Sequence, residues 1–250
     1  MVPATLRSLA SPAMPVVVHP DPDALARDAA VRIVAALSAV GDPRANLGLA
    51  GGSTPRRTYE ELTRITFDWA RVDLWLSDER WVPHDDARSN GAMVERVLTS
   101  RITAPLHRPA FDDGADPHRV AADYERLLHG IIPDGRPDVV LLGMGADGHT
   151  ASLFPRTAAL DERTRWYVAN RLPDSGEWRL TSTFPLLLSA HHLFVLVTGE
   201  AKAATLRAVL EGEPGRYPAQ RLADAGDRVT WLVDGAAASQ LSTVRMERAT

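Results

Sequence analysis

The chain has 250 residues, 45% hydrophobic and 24% charged, an ordinary globular balance with ample material for a core. Its formal charge of −4 offers no basic surface for nucleic acid or an anionic membrane, and no apolar run approaches the roughly 20 residues of a spanning helix. The absence of cysteine excludes disulfides, thiol catalysis and cysteine-bound metal, and suits a reducing cytoplasm.

Residues 1–14 have no apolar signal core and read as a disordered lead-in. From Pro15 onward strand and helix signals alternate. Pro15–Val18 reads as a strand, and Asp21-Pro22 caps a long amphipathic helix that turns Leu25, Ala29, Ile33, Val34 and Leu37 to one face. Ala45–Ala50 is a second strand, running into Gly51-Gly52-Ser53-Thr54-Pro55 and a helix to about Ile65. Val72–Leu76 is a third, ending at Ser77-Asp78-Glu79-Arg80, and Ser89-Asn90 caps a helix carrying Met93, Val97 and Leu98 inward. A Pro- and Asp-rich connection, Pro105–Pro117, precedes a helix through Leu128. Strands at Val139–Leu142, Trp166–Ala169, Leu193–Val197 and Val229–Val233 follow, interleaved with helices at Ala201–Leu210 and Ala236–Leu241. Strands spaced by helices imply an α/β class: a three-layer αβα arrangement with a mostly parallel, Rossmann-like sheet covered on both faces. No repeat or long linker interrupts residues 15–250, which read as a single domain.

The chemistry concentrates where strands end in glycine turns, the place where open α/β sheets hold ligands. Gly143-Met144-Gly145 and Asp147-Gly148-His149 follow the Val139 strand. An imidazole there suits a general base, and an aspartate two residues away can orient it. Gly51-Gly52-Ser53-Thr54-Pro55 combines exposed backbone amides, two hydroxyls and a helix start, an anion cradle, but it has neither a nucleotide P-loop nor a dinucleotide fingerprint. An ordinary capped helix reads equally well there. Asp78 and Glu79 can bind hydroxyls and Arg80 developing negative charge, although a solvated charge run is the usual meaning of such a cluster. Arg179 and Lys202, the single lysine of the chain, are candidate phosphate contacts. Lysine at a helix amino end opposes the helix dipole, so an anion nearby would compensate it. The pair His191-His192 reads as structural. His84, His107, His118 and His129 show no metal-ligand spacing.

Gly51–Pro55, then Ser77–Pro83 with Ser89-Asn90, then Gly143–Pro155, in that order, resemble the 6-phosphogluconolactonase family of the glucosamine-6-phosphate isomerase-like fold. Weaker agreement at Arg179-Leu180-Thr181 and at Thr198-Gly199 with Lys202 extends the likeness over nearly the whole chain. The resemblance implies hydrolysis of 6-phospho-D-glucono-1,5-lactone in the oxidative pentose phosphate route, with no metal and no organic cofactor. It implies a cytoplasmic protein, a monomer or weak homodimer whose partner is the sugar phosphate. His149 would activate water, Asp147 would hold the imidazole, and Arg80 would stabilise the oxyanion or the ring geometry. Gly51, Gly52, Ser53, Thr54, Arg179 and Lys202 would surround the phosphate, with Asp78, Glu79, Asn90, Gly143, Gly145 and Gly148 completing the substrate site. The related aminosugar-phosphate deaminases recruit an additional acid after the histidine, where Thr150–Pro155 has none, and tend to carry tyrosine at the place of Arg80. A sugar-phosphate sensor domain with this fold would carry a DNA-binding helix-turn-helix ahead of it, for which no room precedes Val16.

Overall fold

The computed structural model describes residues 15–41, 44–242 and 246–248. The expected lead-in, residues 1–14, lies outside them. The strands are β1 (Val16–His19), β2 (Ala45–Leu49), β3 (Val72–Leu76), β4 (Asp78–Arg80), β5 (Leu106–His107), β6 (Val139–Gly143), β7 (Tyr167–Arg171), β8 (Trp178–Ser182), β9 (His192–Val197), β10 (Val229–Asp234) and β11 (Met246–Arg248). The α-helices are α1 (Pro22–Ser38), α2 (Ser53–Leu62), α3 (Asn90–Val94), α4 (Pro117–Ile131), α5 (Phe184–Leu187) and α6 (Ala203–Glu211).

Eight strands form one sheet in the order β11-β1-β10-β9-β6-β2-β3-β5, and every pairing in it is parallel. Alternate strand residues feed two cores. Val139, Leu141, Phe194 and Leu196 join α1 and α2 on one face, while Val140, Leu142, Leu193 and Val195 join α4 and α6 on the other. This alternation is why the strands read as unbroken apolar runs: both faces are covered. Helix α1 starts as its sequence dictates, with the Asp21 carboxylate accepting from the Asp23 and Ala24 amides at 2.9 and 2.7 Å and Pro22 at its first turn.

Three expectations are corrected. The Trp166–Ala169 strand does not join the parallel sheet; as β7 it pairs antiparallel with β8, which pairs antiparallel with β4, in a separate three-stranded sheet. The Ser77–Arg80 charge run is therefore in part a strand, because β8 supplies its backbone partners. The helix after Gly52 ends at Leu62 rather than near Ile65, and Ala236–Leu241 shrinks to a short 3₁₀ turn, Ala237–Gln240.

The chain passes from β2 outward to β3 and β5, then returns to place β6 on the other side of β2 and continues away through β9. The order therefore switches between β2 and β6, and the loops leaving adjacent strands diverge there to open a crevice. The first loop is clamped at its root: the buried Tyr59 hydroxyl donates to the Ala50 carbonyl at 2.7 Å and accepts from the Ala50 amide at 2.9 Å. Removing it strands two buried backbone groups. Tyr59→Phe is accordingly expected to lower the unfolding free energy by about 1–3 kcal/mol, measured by urea denaturation; a midpoint and slope equal to the parent's would show that the clamp contributes nothing.

Candidate active site

The crevice is a cleft of about 300 Å³ at the carboxyl ends of β9, β6, β2 and β3. From β2 come Gly51–Pro55. Gly51 is obligatory because an added side-chain carbon would lie 1.9 Å from Asn90 Oδ1. Gly52, at φ 105°, caps α2 without any side-chain bond, and the first turn of α2 holds no acidic residue. The leading amides of that helix thus point their partial positive charge at the cleft unopposed.

From β3 and β4 come Asp78 and Arg80. Asp78 is 6% exposed, and its Oδ2 accepts from Ser152 Oγ at 2.7 Å. Asn90 is held beside it by donating to the Asp78 carbonyl at 2.9 Å. Arg80 donates to the Arg88 carbonyl and stands directly opposite Arg179 in the β4–β8 pair. Cross-strand partners share a face, and like charges placed so are unfavourable unless an anion joins them. Among the described residues Arg179 has one side-chain partner, Glu177 at 3.0 Å. Lys202 lies in the 3₁₀ turn Glu200–Lys202 just before α6, lines the same cleft and makes no ion pair among the described residues. Burial lowers its pKa, against the pull of Asp234.

From β6 comes the loop carrying His149. The loop closes on itself through Gly145 N–H to the His149 carbonyl at 2.9 Å and Gly148 N–H to the Gly145 carbonyl at 3.0 Å. Thr150 Oγ1 ties it to the Gly143 carbonyl at 2.9 Å, and Thr205 Oγ1 of α6 ties it to Ala146 at 2.7 Å. An added carbon at Gly145 would meet the His149 ring at 2.2 Å, so only glycine permits this approach. The ring stacks on Phe154 with centroids 4.0 Å apart, and its Nδ1 meets Asp147 Oδ1 at 2.5 Å. An ionised carboxylate only accepts, so Nδ1 carries a proton, and Nε2 is left without a hydrogen-bond partner among the described residues. The hydrogen bond from His149 holds the Asp147 pKa below its ordinary value, against partial burial.

The cleft thus gathers Gly51, Gly52, Ser53, Thr54, Asp78 and Arg80 with Asn90, Gly143, Gly145, His149, Arg179 and Lys202. Glu79, Asp147 and Gly148 do not line it. The Glu79 carboxylate is turned inward, accepting from the amides of Arg80, Asn90 and Gly91 at 2.7–2.8 Å and from Ser89 Oγ at 3.0 Å. Burial raises its pKa while these bonds pull the other way. It anchors the loop from within. Asp147 stands behind the ring, and Gly148, at φ 73°, packs against Tyr217. Sequence reasoning did not identify Ser152 and Phe154 as parts of the site; the run from His149 to Pro155 was the signal, since a segment that short returns its side chains to the same opening. Among the described residues that line the cleft, three cations face one carboxylate in a chain of net charge −4, so the cleft suits an anion, with an imidazole beside it. Among the described residues no group of three His, Asp or Glu converges to hold a metal, and no helix is long and apolar enough to cross a membrane.

The model of glucosamine-6-phosphate isomerases and 6-phosphogluconolactonases matches residues 20–231. A 6-phosphogluconolactonase from Haemophilus influenzae is 34% identical over 201 residues, 77% of this chain and 85% of that protein. The structure of the 6-phosphogluconolactonase from Trypanosoma cruzi superposes with a TM-score of 0.85 at 25% identity, covering 95% of this chain and all of that one. A monomeric glucosamine-6-phosphate deaminase superposes with a TM-score of 0.78 at 28% identity over 91% of this chain and all of the other.

The Asp147–His149 contact has a pH signature. A carboxylate whose folded pKa lies below its unfolded value, about 3.9, contributes stability above that value and loses it as pH falls through the folded pKa. The urea midpoint of the parent should therefore exceed that of Asp147→Asn at neutral pH, with the gap closing below about pH 4. A gap that stays constant from neutral pH into acid would show that Asp147 is not held ionised by the imidazole.

Proposed function

The chain belongs to the 6-phosphogluconolactonase family, within the glucosamine-6-phosphate isomerase/6-phosphogluconolactonase group, and on that premise we propose that it hydrolyses 6-phospho-D-glucono-1,5-lactone to 6-phospho-D-gluconate with water activated at His149. The observation that carries the mechanism is the oriented imidazole, Nδ1 on Asp147, at the edge of a cleft lined by Arg80, Arg179 and Lys202.

A lactone carbonyl needs a polarised water and a place for negative charge, and no covalent nucleophile. His149 Nε2 takes a proton from water as the oxygen adds to the carbonyl carbon. The tetrahedral oxyanion is met by Arg80. When the intermediate collapses, the carbon–oxygen bond to the ring oxygen breaks, and imidazolium returns its proton to that oxygen, leaving the sugar hydroxyl. The new carboxylic acid ionises at neutral pH, so turnover releases acid. The amides opening α2, with Ser53 and Thr54, take the phosphate between Arg179 and Lys202. Asp78, with one oxygen engaged by Ser152, accepts from sugar hydroxyls. A water-soluble sugar phosphate and a cysteine-free chain suit the cytoplasm.

The deaminase likeness bears on the fold, not on the chemistry. Opening an aminosugar ring and moving protons between carbons calls for another acid near the imidazole. In this chain the neighbour is Phe154, stacked on the ring, and Asp78 is the single carboxylate among the described cleft residues.

Acid release from freshly prepared 6-phosphogluconolactone, read against the spontaneous rate, is expected to accelerate with the protein in the presence of a chelator. His149→Gln should lower kcat by roughly 10²-fold or more while the fold is kept. Arg179→Ala or Lys202→Ala should instead raise KM by about one to two powers of ten, since a phosphate contact is made equally in ground and transition states. A rate at background for the parent would overturn the activity, and a well-folded His149→Gln with near-parental turnover would overturn the mechanism.

A further inference from the structure

A second pocket, about 480 Å³, shares a wall with the His149 loop. Tyr217 lines it, and the Tyr217 ring fills the space a side chain on Gly148 would need, approaching to 2.5 Å of that position. The Ala219 amide, two residues on, donates to the Gly148 carbonyl at 3.0 Å. Pro155, next to the Phe154 that stacks on the imidazole, also lines the pocket.

Four arginines face this pocket, Arg156, Arg163, Arg216 and Arg221, against one carboxylate, Asp161. Their charge compensation is uneven. Arg156 reaches Asp174 at 3.3 Å with both side chains at least 75% exposed, a contact of little energetic weight, and it holds a left-handed backbone at φ 65° that a non-glycine residue rarely adopts. Arg163 and Arg216 make no ion pair among the described residues; the Arg216 guanidinium rests over the Tyr217 ring at 5.2 Å. Arg221 is fixed by the Leu160 carbonyl at 2.7 Å and lies over Phe184 at 3.9 Å. Burial lowers its pKa, and neighbouring Arg163 adds to the shift while Asp224 and Asp161 oppose it. On a chain of net charge −4, a pocket lined by four arginines, with Asp161 in its wall, Asp174 against Arg156 and Asp224 near Arg221, keeps a local excess of positive charge carried by Arg163 and Arg216.

We propose that this pocket is a second anion site, distinct from the cleft, which takes a small organic molecule carrying two linked phosphates. Guanidinium forks grip phosphate oxygens in pairs, and four of them exceed what one phosphate can engage. The volume falls within the range of small-molecule sites, and Pro155, Leu160 and Pro218 provide apolar wall for an organic body beside the Tyr217 ring. The proposal does not depend on the activity assigned to the cleft.

Calorimetry of the full chain with metal-free ADP and with inorganic pyrophosphate tests it, with sulfate at matched ionic strength as the control for screening alone. Arg163 and Arg216 are exposed, so Arg163→Ser combined with Arg216→Ser should leave the melting temperature unchanged. That double variant is expected to bind both probes about tenfold more weakly or worse, while Lys202→Ala, altered in the cleft, binds them through the second pocket as the parent does. ADP should bind more tightly than pyrophosphate. Parental affinity in the double variant, loss of all binding in Lys202→Ala, or heats no larger than those with sulfate would each overturn the site. ADP no tighter than pyrophosphate would overturn the organic part of the assignment.

Discussion

The imidazole of His149 lies so close over the backbone of Gly145 that one added carbon there would sit 2.2 Å from the ring. That approach sets the ring plane before any ligand arrives. Phe154 stacks on it, Asp147 takes Nδ1, and the backbone bonds between Gly145, Gly148 and His149 close the loop around it. Little rotamer freedom is left to lose, so Nε2 is pre-aimed. The rest of the site depends on this. Strand β6 must end beside β2 for the loop to reach the cleft, and the switch in strand order between them is what opens the space in front of it.

The second constraint is electrostatic. The cleft brings Arg80, Arg179 and Lys202 to one opening with only Asp78 among them. Two of these cations are fixed face to face by the register of a small antiparallel sheet, and the third is partly desolvated. Such an arrangement is unfavourable when empty and favourable around an anion, so binding of an anion would offset the cost of assembling it. Glu79 answers a different need. Its buried carboxylate gathers three backbone amides and a hydroxyl, and so holds the turn that presents Arg80 and Asn90.

The parts of this design that are local in sequence could be read from it. Apolar runs of five residues between amphipathic helices specify a covered parallel sheet, and Gly-rich exits from β2 and β6 mark where a ligand belongs. The Asp147–His149 pair lies within one turn, and its partnership follows from spacing alone. What could not be read rests on distant contacts. The pairing of β4 with β8 joins residues about a hundred positions apart through three polar residues without periodicity. The inward turn of Glu79 depends on amides of a helix start eleven and twelve residues on. The hydroxyl of Ser152 is engaged by Asp78, 74 residues away. Phe154 gave a weak signal because an aromatic residue beside a turn is more often core than a platform for a base.

In the proposed mechanism a neutral imidazole, oriented by Asp147, takes the proton from the attacking water. The pH dependence of kcat/KM for the phosphorylated lactone, corrected for spontaneous hydrolysis, tests it most directly, because that parameter reports the essential base of the free enzyme. The rate is expected to fall tenfold per pH unit on the acid side of the range where imidazoles titrate, to level off above it, and to lose that limb in the residual activity of His149→Gln. A profile that is flat through that range, or the same acid limb in His149→Gln, would contradict it.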